Sequence, residues 1–277
     1  MNFLQGLGDF LGQILGYVLW FFFDLFDNFV PAIVILTVVL RCISFPFELK
    51  SRKAMAKNAK ISIKTREIQK KFANNKQKMN EEMAKLYEKE GVNPMGGCFP
   101  QLFPTLVFLG MYGAIVRPIT NLFHVSNEVL NSAINAISTI PGISNAYNSQ
   151  YIQLEVIKIF PKISEHLTMF TPEQASDIMD FNKGFNFFGL DLFAIPMSSS
   201  FESLAWIWPV LAAITMVLNI FISQRKNPEV QNSAPGCMKF LPYMMSLIFV
   251  GVVLYAPAAL GVYYTLNNIL MLIQSQI

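Results

Sequence analysis

The chain has 277 residues, of which 53% are hydrophobic and 14% charged, with 25 phenylalanines and a net charge of +3. That balance excludes an ordinary soluble domain and points to lipid as the solvent. The three cysteines, Cys42, Cys98 and Cys237, are too widely separated for a CxxC zinc or redox pair.

A helix that crosses about 30 Å of hydrocarbon at 1.5 Å per residue needs about 20 mostly apolar residues, because every backbone group must be bonded internally. Ahead of the first such stretch, residues 1–28 set Leu4, Leu7, Leu11, Ile14, Leu15 and Val18 at helical spacing, with Gln5, Asp9 and Gln13 on another side. The pattern predicts an amphipathic helix on the outer surface. The competing reading is an additional span, for which Asp9 and the glycines are poor material. No basic segment precedes it, so it is not an intact signal peptide, and whether one was removed stays open.

The first span is placed at residues 29–48. Its stretch "ILTVVLRCISFPFELK" carries one charge, Arg41, within an otherwise uncharged run from Asn28 to Phe47. Residues 49–97 are strongly basic: thirteen of the 21 lysines and arginines lie between Lys50 and Lys89. Stripes at Ile61, Ile68 and Phe72, and at Met79, Met83, Leu86 and Tyr87, predict a helical hairpin joined near Asn74 and Asn75. The hairpin is either a headgroup-facing anchor, which the sequence favours, or a dock for a large anionic partner such as a ribosome.

The second span is placed at 98–118 and a long connection at 119–203, in which "IQLEVIKIFPKI" and "TPEQASDIMDF" predict short amphipathic helices. The third span follows at 204–223, a short loop at 224–239, the fourth span at 240–256 and the fifth at 257–277, the last two turning near Pro257. Lysine and arginine are in excess in short cytoplasmic loops. The basic segment and the 224–239 loop are therefore cytoplasmic, with the N-terminus outside and the C-terminus inside. The long connection, which from Ile119 to Phe185 holds six acids against Lys158, Lys162 and Lys183, is extracellular.

Polar residues recur in rows within the spans. Thr37, Arg41, Ser44 and Glu48 fall within about 60° of one another around a helix. Gln101, Thr105 and Tyr112 keep similar spacing in the second span, Trp208, Thr215 and Asn219 in the third, and Tyr263, Asn267 and Gln274 in the fifth, beside Tyr264 and Asn268. Singly, such residues commonly just bond a neighbouring helix, at about 0.6 kcal/mol. Arg41 costs about 2.5 to 3.5 kcal/mol at the bilayer centre unless it snorkels toward the interface. Four aligned rows favour a shared hydrated cavity, open to the cytoplasm, into which Arg41 points.

Nothing indicates enzymatic chemistry. His124 and His166 have no HExxH or nucleophile motif beside them, and there is no glycine-rich phosphate loop, carboxylate pair or serine and lysine pair within the spans. No cofactor is expected. A small-solute transporter would normally show two related halves, and none is visible.

Five blocks, "LTVVLRCISFPFELKSRKAMAK", "LYEKEGVNPMGGCFPQLFPTLVFLGMY", "WPVLAAITMVLN", "MKFLPYMM" and "ALGVYYTLNNILMLIQSQ", together resemble the core of the YidC/Oxa/Alb membrane-protein insertases. The likeness covers residues 29–118 and 200–277, with "GVNPMGGCFP" its most specific piece. With no large outer domain before the first span, the chain resembles the shorter type of Gram-positive bacteria. The resemblance implies an all-α polytopic membrane protein: a five-span core, an outer amphipathic helix, a cytoplasmic hairpin and a positively charged groove closed toward the outside. Arg41 matches the family's groove arginine and Thr37 a position one turn earlier. Tyr263, Tyr264, Asn267 and Asn268 fall in the last-span motif that lines the client path.

The expected substrate groove therefore comprises Thr37, Arg41, Ser44, Gln101, Thr215, Asn219, Tyr263, Tyr264, Asn267 and Asn268. The implied partners are nascent membrane proteins and membrane lipids, with the ribosome and the Sec translocon as further candidates and no small-molecule substrate. The implied location is the bacterial plasma membrane. The chain departs from the family's pattern at Pro104 and Leu106, where a glutamine and a proline are usual, in a fourth span about one turn longer before its proline, and in the length of the outer connection.

Overall fold

Local chemistry sets where the helices begin and end. The computed structural model describes residues 3–91, 99–140, 150–187, 189–226 and 241–276. Helix α1 (Phe3–Phe26) and helix α2 (Phe29–Lys71) are parted by Asp27 at a left-handed φ of 47°, which a short polar side chain tolerates. Asn28 Oδ1 then accepts from the Val30 N–H at 3.1 Å, meeting one of the donors that a helix start leaves unbonded.

Helix α2 does not stop at residue 48, where the first span was expected to end. It runs for 43 residues through Pro46. Proline removes the N–H that would bond the Cys42 carbonyl and is normally a breaker. The glutamate, leucine, lysine and alanine residues that follow are strong helix formers, and they carry the helix onward. Helix α3 (Lys76–Lys89) begins at Asn75, whose side chain accepts from Lys78 N at 3.0 Å. Lys64 Nζ on α2 meets Glu90 Oε1 at 2.6 Å, tying the two arms of the basic hairpin.

Helices α4 (Phe99–Val116) and α5 (Pro118–Asn121) lead into the long connection, which holds α6 (Asn127–Ser138), α7 (Ile152–Ile163) and α8 (Pro172–Gly184). Helix α8 opens on a reciprocal cap, with Thr171 Oγ1 accepting from Gln174 N and Gln174 Oε1 accepting from Thr171 N. A two-stranded antiparallel hairpin, β1 (Asn186–Phe187) with β2 (Leu190–Asp191), turns through Gly189 at a φ of 82°. Helices α9 (Ile207–Lys226), α10 (Leu241–Tyr255) and α11 (Ala258–Gln274) complete an all-α polytopic chain.

By length and composition, Gly6–Phe26, Phe29–Lys53 and Leu204–Arg225 are each able to cross a membrane, and Thr105–Val116 and Ser246–Tyr255 are shorter apolar helices. Helix α1 thus has the dimensions of a crossing helix as well as the amphipathic pattern read from its sequence. On α9, Val210, Ile214, Val217 and Phe221 are exposed at helical spacing, an apolar face suited to acyl chains.

The chain divides into two compact units. The first comprises Met1–Leu40, Leu106–Ala212 and Val250–Asn267. Its centre is aromatic: Phe181 lies 5.2 Å from Phe23, 5.9 Å from Phe29, 5.4 Å from Phe123 and 4.9 Å from Phe185, ring centre to ring centre. Helix α1 packs along α4 and α5 at backbone range. A Cβ on Gly16 would stand 2.1 Å from the Asn121 carbonyl oxygen, and one on Gly113 2.5 Å from that of Gly8. Asp9 is explained by the same contact, since both its oxygens accept from Arg117 NH1, at 2.5 and 2.6 Å. The start of α11 is met by the connection, Ala258 N donating to Ala194 O at 2.8 Å and Ala259 N to Leu192 O at 3.1 Å.

The second unit comprises Arg41–Thr105, Ala213–Phe249 and Asn268–Ile277. It holds the basic hairpin and the polar residues described next.

Candidate functional site

A helix repeats its direction nearly every seven residues, about 10.5 Å along the axis, so long side chains at i and i+7 can meet over the two turns between them. Arg41 and Glu48 do so. Arg41 NH1 donates to Glu48 Oε1 at 2.6 Å, and the two side chains are only 8% and 16% exposed. A guanidinium this buried is tolerable because a carboxylate neutralises it. Arg52, one turn beyond Glu48, brings its NH2 within 4.0 Å of Glu48 Oε2 and is 36% exposed.

The backbone beside the pair is also engaged. The Arg41 carbonyl accepts from Ser44 Oγ at 3.1 Å and from Gln274 Nε2, on α11, also at 3.1 Å. Arg52 NH1 reaches the Gln274 carbonyl at 3.5 Å. Both ends of Gln274 thus hold α11 to the stretch of α2 that carries the ion pair, while its Oε1 is buried without a donor.

A second polar group lies between α9 and α11. Asn219 Nδ2 donates to the Thr215 carbonyl at 3.0 Å and to the Asn268 carbonyl at 3.0 Å. Thr215, Asn219 and Asn268 are all buried, and the Asn268 Nδ2 donor has no acceptor. A buried amide without a partner costs about 1 to 3 kcal/mol. Asn268 and Gln274 share one helix and are six residues, about 9 Å, apart along it.

The second unit therefore brings together Arg41 and Ser44 in one cluster and Thr215, Asn219 and Asn268 in another, joined through α11. Thr37, Tyr263, Tyr264 and Asn267 belong to the first unit. There Thr37 Oγ1 bonds its own helix at the Ile33 carbonyl, and Tyr264 meets Phe108 edge to face at 6.2 Å. Tyr263 is fully enclosed and Asn267 half-buried. Gln101 is in α4, with its side chain outside the described residues, as are Cys98 and Cys237.

Two contacts at this site are not given by the sequence. Glu48 was placed in Arg41's polar row but not paired with it, although their spacing of seven was a usable signal. Gln274 was likewise placed in a row without its contact to the Arg41 carbonyl, for which no local signal exists. At Arg41 the described residues show a charge neutralised within the protein, where the sequence led us to expect one facing open water.

Outside the spans, ionisable groups are set by their neighbours. Glu81 is held below its ordinary value by the Lys85 ammonium, and Glu90 by that of Lys64, both on the hairpin surface. Burial lowers His124, which stacks on Tyr17 at 3.6 Å, and raises Tyr151. Asp177 on α8 is raised, first by burial and then by the nearby charges of Glu173, Asp180 and Asp24. A cavity of about 510 Å³ lies in the first unit between α7 and the turn after β2, with Glu155, Lys158, Asp191 and Ser200 in its wall. Among the described residues no group of three His, Cys, Asp or Glu could hold a metal ion.

The family described as 60Kd inner membrane protein matches residues 21–277. A membrane protein insertase YidC of Brucella suis biovar 1 (strain 1330) is 26% identical over 268 residues, 97% of this chain and 35% of that protein. One of Rickettsia bellii (strain OSU 85-389) is 28% identical over 259 residues, 93% of this chain and 36% of that protein. One of Buchnera aphidicola subsp. Baizongia pistaciae (strain Bp) is 38% identical over 110 residues, 40% of this chain and 20% of that protein. The chain thus spans little more than a third of the length of the first two relatives, 35% and 36%. These relatives are Gram-negative proteobacterial proteins and give no support to the Gram-positive type that the sequence resembled.

Proposed function

The chain belongs to the 60Kd inner membrane protein family, and from that premise we propose that it is a membrane protein insertase of the bacterial plasma membrane. It acts on nascent membrane proteins, without catalysing a covalent reaction. The observation that carries the reading is a buried arginine, Arg41, at the middle of an apolar stretch of α2, in a unit whose other buried residues are mainly polar.

The physical problem is the client's outside segment. Its backbone and any acidic side chain must pass hydrocarbon, where each unpaired polar group costs several kcal/mol. Arg41 offers an opposite charge where the local dielectric is low and attraction correspondingly strong. Ser44, Thr215, Asn219 and Asn268 supply hydrogen-bonding groups around the path, Asn268 Nδ2 being a donor already stripped of water. The apolar face of α9 lets the client helix leave into lipid. Apolar burial and, for acidic tails, a membrane potential worth about 2.3 kcal/mol per charge per 100 mV supply the drive.

The lysine and arginine distribution supports an outside N-terminus and an inside C-terminus. The basic hairpin then faces the cytoplasm, where the ribosome and the Sec translocon are candidate partners. The places of Thr37, Gln101, Tyr263, Tyr264 and Asn267 on the client path rest on the family resemblance.

The test is insertion of a single-span client with an acidic N-terminal segment into liposomes holding this chain alone. Arg41→Ala slows that client at least fivefold more than one whose outside segment lacks acids, and Arg41→Lys is largely tolerated. Equal insertion of both clients by wild type and Arg41→Ala would remove the charge role.

A further inference from the structure

We propose that Glu48 holds the place of a client carboxylate on Arg41, and that an acidic client displaces it onto Arg52, so that Glu48 sets how acidic a tail must be to engage the site. The inference rests on the client-binding role given to Arg41 above and adds to it the selection of clients.

The resting pair shows why a placeholder is needed. At 2.6 Å from Glu48 and 8% exposed, Arg41 displays no spare positive charge. A bare arginine in this position would carry a large desolvation penalty, and breaking such a pair by removing one partner is strongly unfavourable. A client carboxylate that binds Arg41 at NH1 must therefore take over Glu48's position, and Glu48 must find another partner in the same movement.

That partner is already in reach. Glu48 lies between two guanidiniums on its own helix, seven residues after Arg41 and four before Arg52. Its Oε1 is bonded to the first, and its Oε2 is 4.0 Å from the second. The arrangement is graded in exposure, Arg41 at 8%, Glu48 at 16% and Arg52 at 36%, so a change of partner moves the Glu48 carboxylate toward water. No charge is left buried and alone in either state. Gln274 keeps the frame of the exchange constant, since it is bonded to the Arg41 carbonyl through Nε2 and to Arg52 through its own carbonyl.

Selectivity follows. A client carboxylate competes with a resident carboxylate for one guanidinium, a near-balanced exchange that allows release. A tail without an acid has nothing to displace Glu48 with, and passes without engaging Arg41. If Arg41 is free of Glu48 for about a tenth of the time, removing the competitor raises apparent affinity about tenfold.

The experiment uses the full chain in liposomes and two single-span clients that differ only by aspartate or asparagine in the outside segment. Crosslinking yield to the chain and initial insertion rate are both measured. Glu48→Gln is expected to raise crosslinking of the aspartate client about tenfold and leave the asparagine client within twofold. Arg52→Gln is expected to slow the aspartate client several-fold and spare the other. Because Glu48→Gln leaves Arg41 without its carboxylate and could fold poorly, Arg41→Gln/Glu48→Gln serves as a neutral pair that should treat both clients alike. Wild-type behaviour of folded Glu48→Gln, or equal slowing of both clients by Arg52→Gln, overturns the exchange. If Arg41→Ala abolishes discrimination while Glu48→Gln changes nothing, the exchange fails and the role of Arg41 stands. If neither variant alters discrimination, both fail.

Discussion

The two compact units bury opposite kinds of matter. Among the described residues of the second unit, Ile61 and Met216 are the buried apolar side chains, against six buried polar ones: Arg41, Ser44, Ser51, Thr215, Asn219 and Asn268. The first unit buries phenylalanine, isoleucine and leucine throughout; of its buried polar residues Thr37, Asn121 and Gln153 are bonded, to Ile33 O at 2.5 Å, to Gly113 O at 2.8 Å and from Thr120 N at 3.1 Å, while the Thr265 hydroxyl has no partner. The contrast separates two tasks on one chain. The first unit gains stability from carbon taken out of solvent, whereas the second buries polar groups, which on the function proposed above serve the client rather than the fold.

The largest test of that division falls on the aromatic centre. Phe181→Ala removes a fully buried ring that touches four others, so it should destabilise the chain by about 4 kcal/mol. Denaturant or thermal unfolding in micelles reads this directly. Molecules that remain folded should insert clients at the wild-type rate. A loss below about 1 kcal/mol would mean that stability does not reside in this core.

The same division governs how far the structure was legible in advance. Composition and apolar runs disclose the helical, membrane class because backbone bonding in lipid leaves few alternatives. "IQLEVIKIFPKI" is α7 residue for residue, and Thr171 with Gln174 is a capping signature visible in the sequence. What stayed hidden depends on partners far along the chain or on the choice of rotamer. Asp9 finds Arg117 across 108 positions. The glycines of α1, poor material for an isolated span, become a surface on which α4 and α5 lie at backbone range. Arg41 was legible as an anomaly in its run, but its neutralisation by Glu48 depends on two side chains bending toward each other over two helical turns.

A change of opposite sign tests the second unit. The Asn268 side-chain amide is buried without an acceptor, while the bond from Asn219 goes to the Asn268 backbone and survives substitution. Asn268→Ala should therefore leave stability unchanged or raise it by about 1 kcal/mol, while slowing client insertion several-fold. Destabilisation by more than about 2 kcal/mol would show that Asn268 is structural and would erase the asymmetry between the units.

The smallest expected effect lies on the surface of the first unit and carries its own control in pH. Burial, then the charges of Glu173, Asp180 and Asp24, raise the Asp177 pKa, so folding disfavours its charged form. At neutral pH this carboxylate works against the fold. The penalty fades as pH falls through the raised folded value, and below the ordinary aspartate value of about 3.9 both folded and unfolded chains are protonated and it is gone. Asp177→Asn should accordingly raise Tm slightly at pH 7, by less than either change above, and the gain should vanish as the medium is acidified toward pH 4. A gain that persisted at low pH would have to come from packing, and the electrostatic strain would then not belong to Asp177. A gain that disappears would show that even the unit built on carbon carries a misplaced charge, tolerated because the aromatic core beneath it is worth several times more.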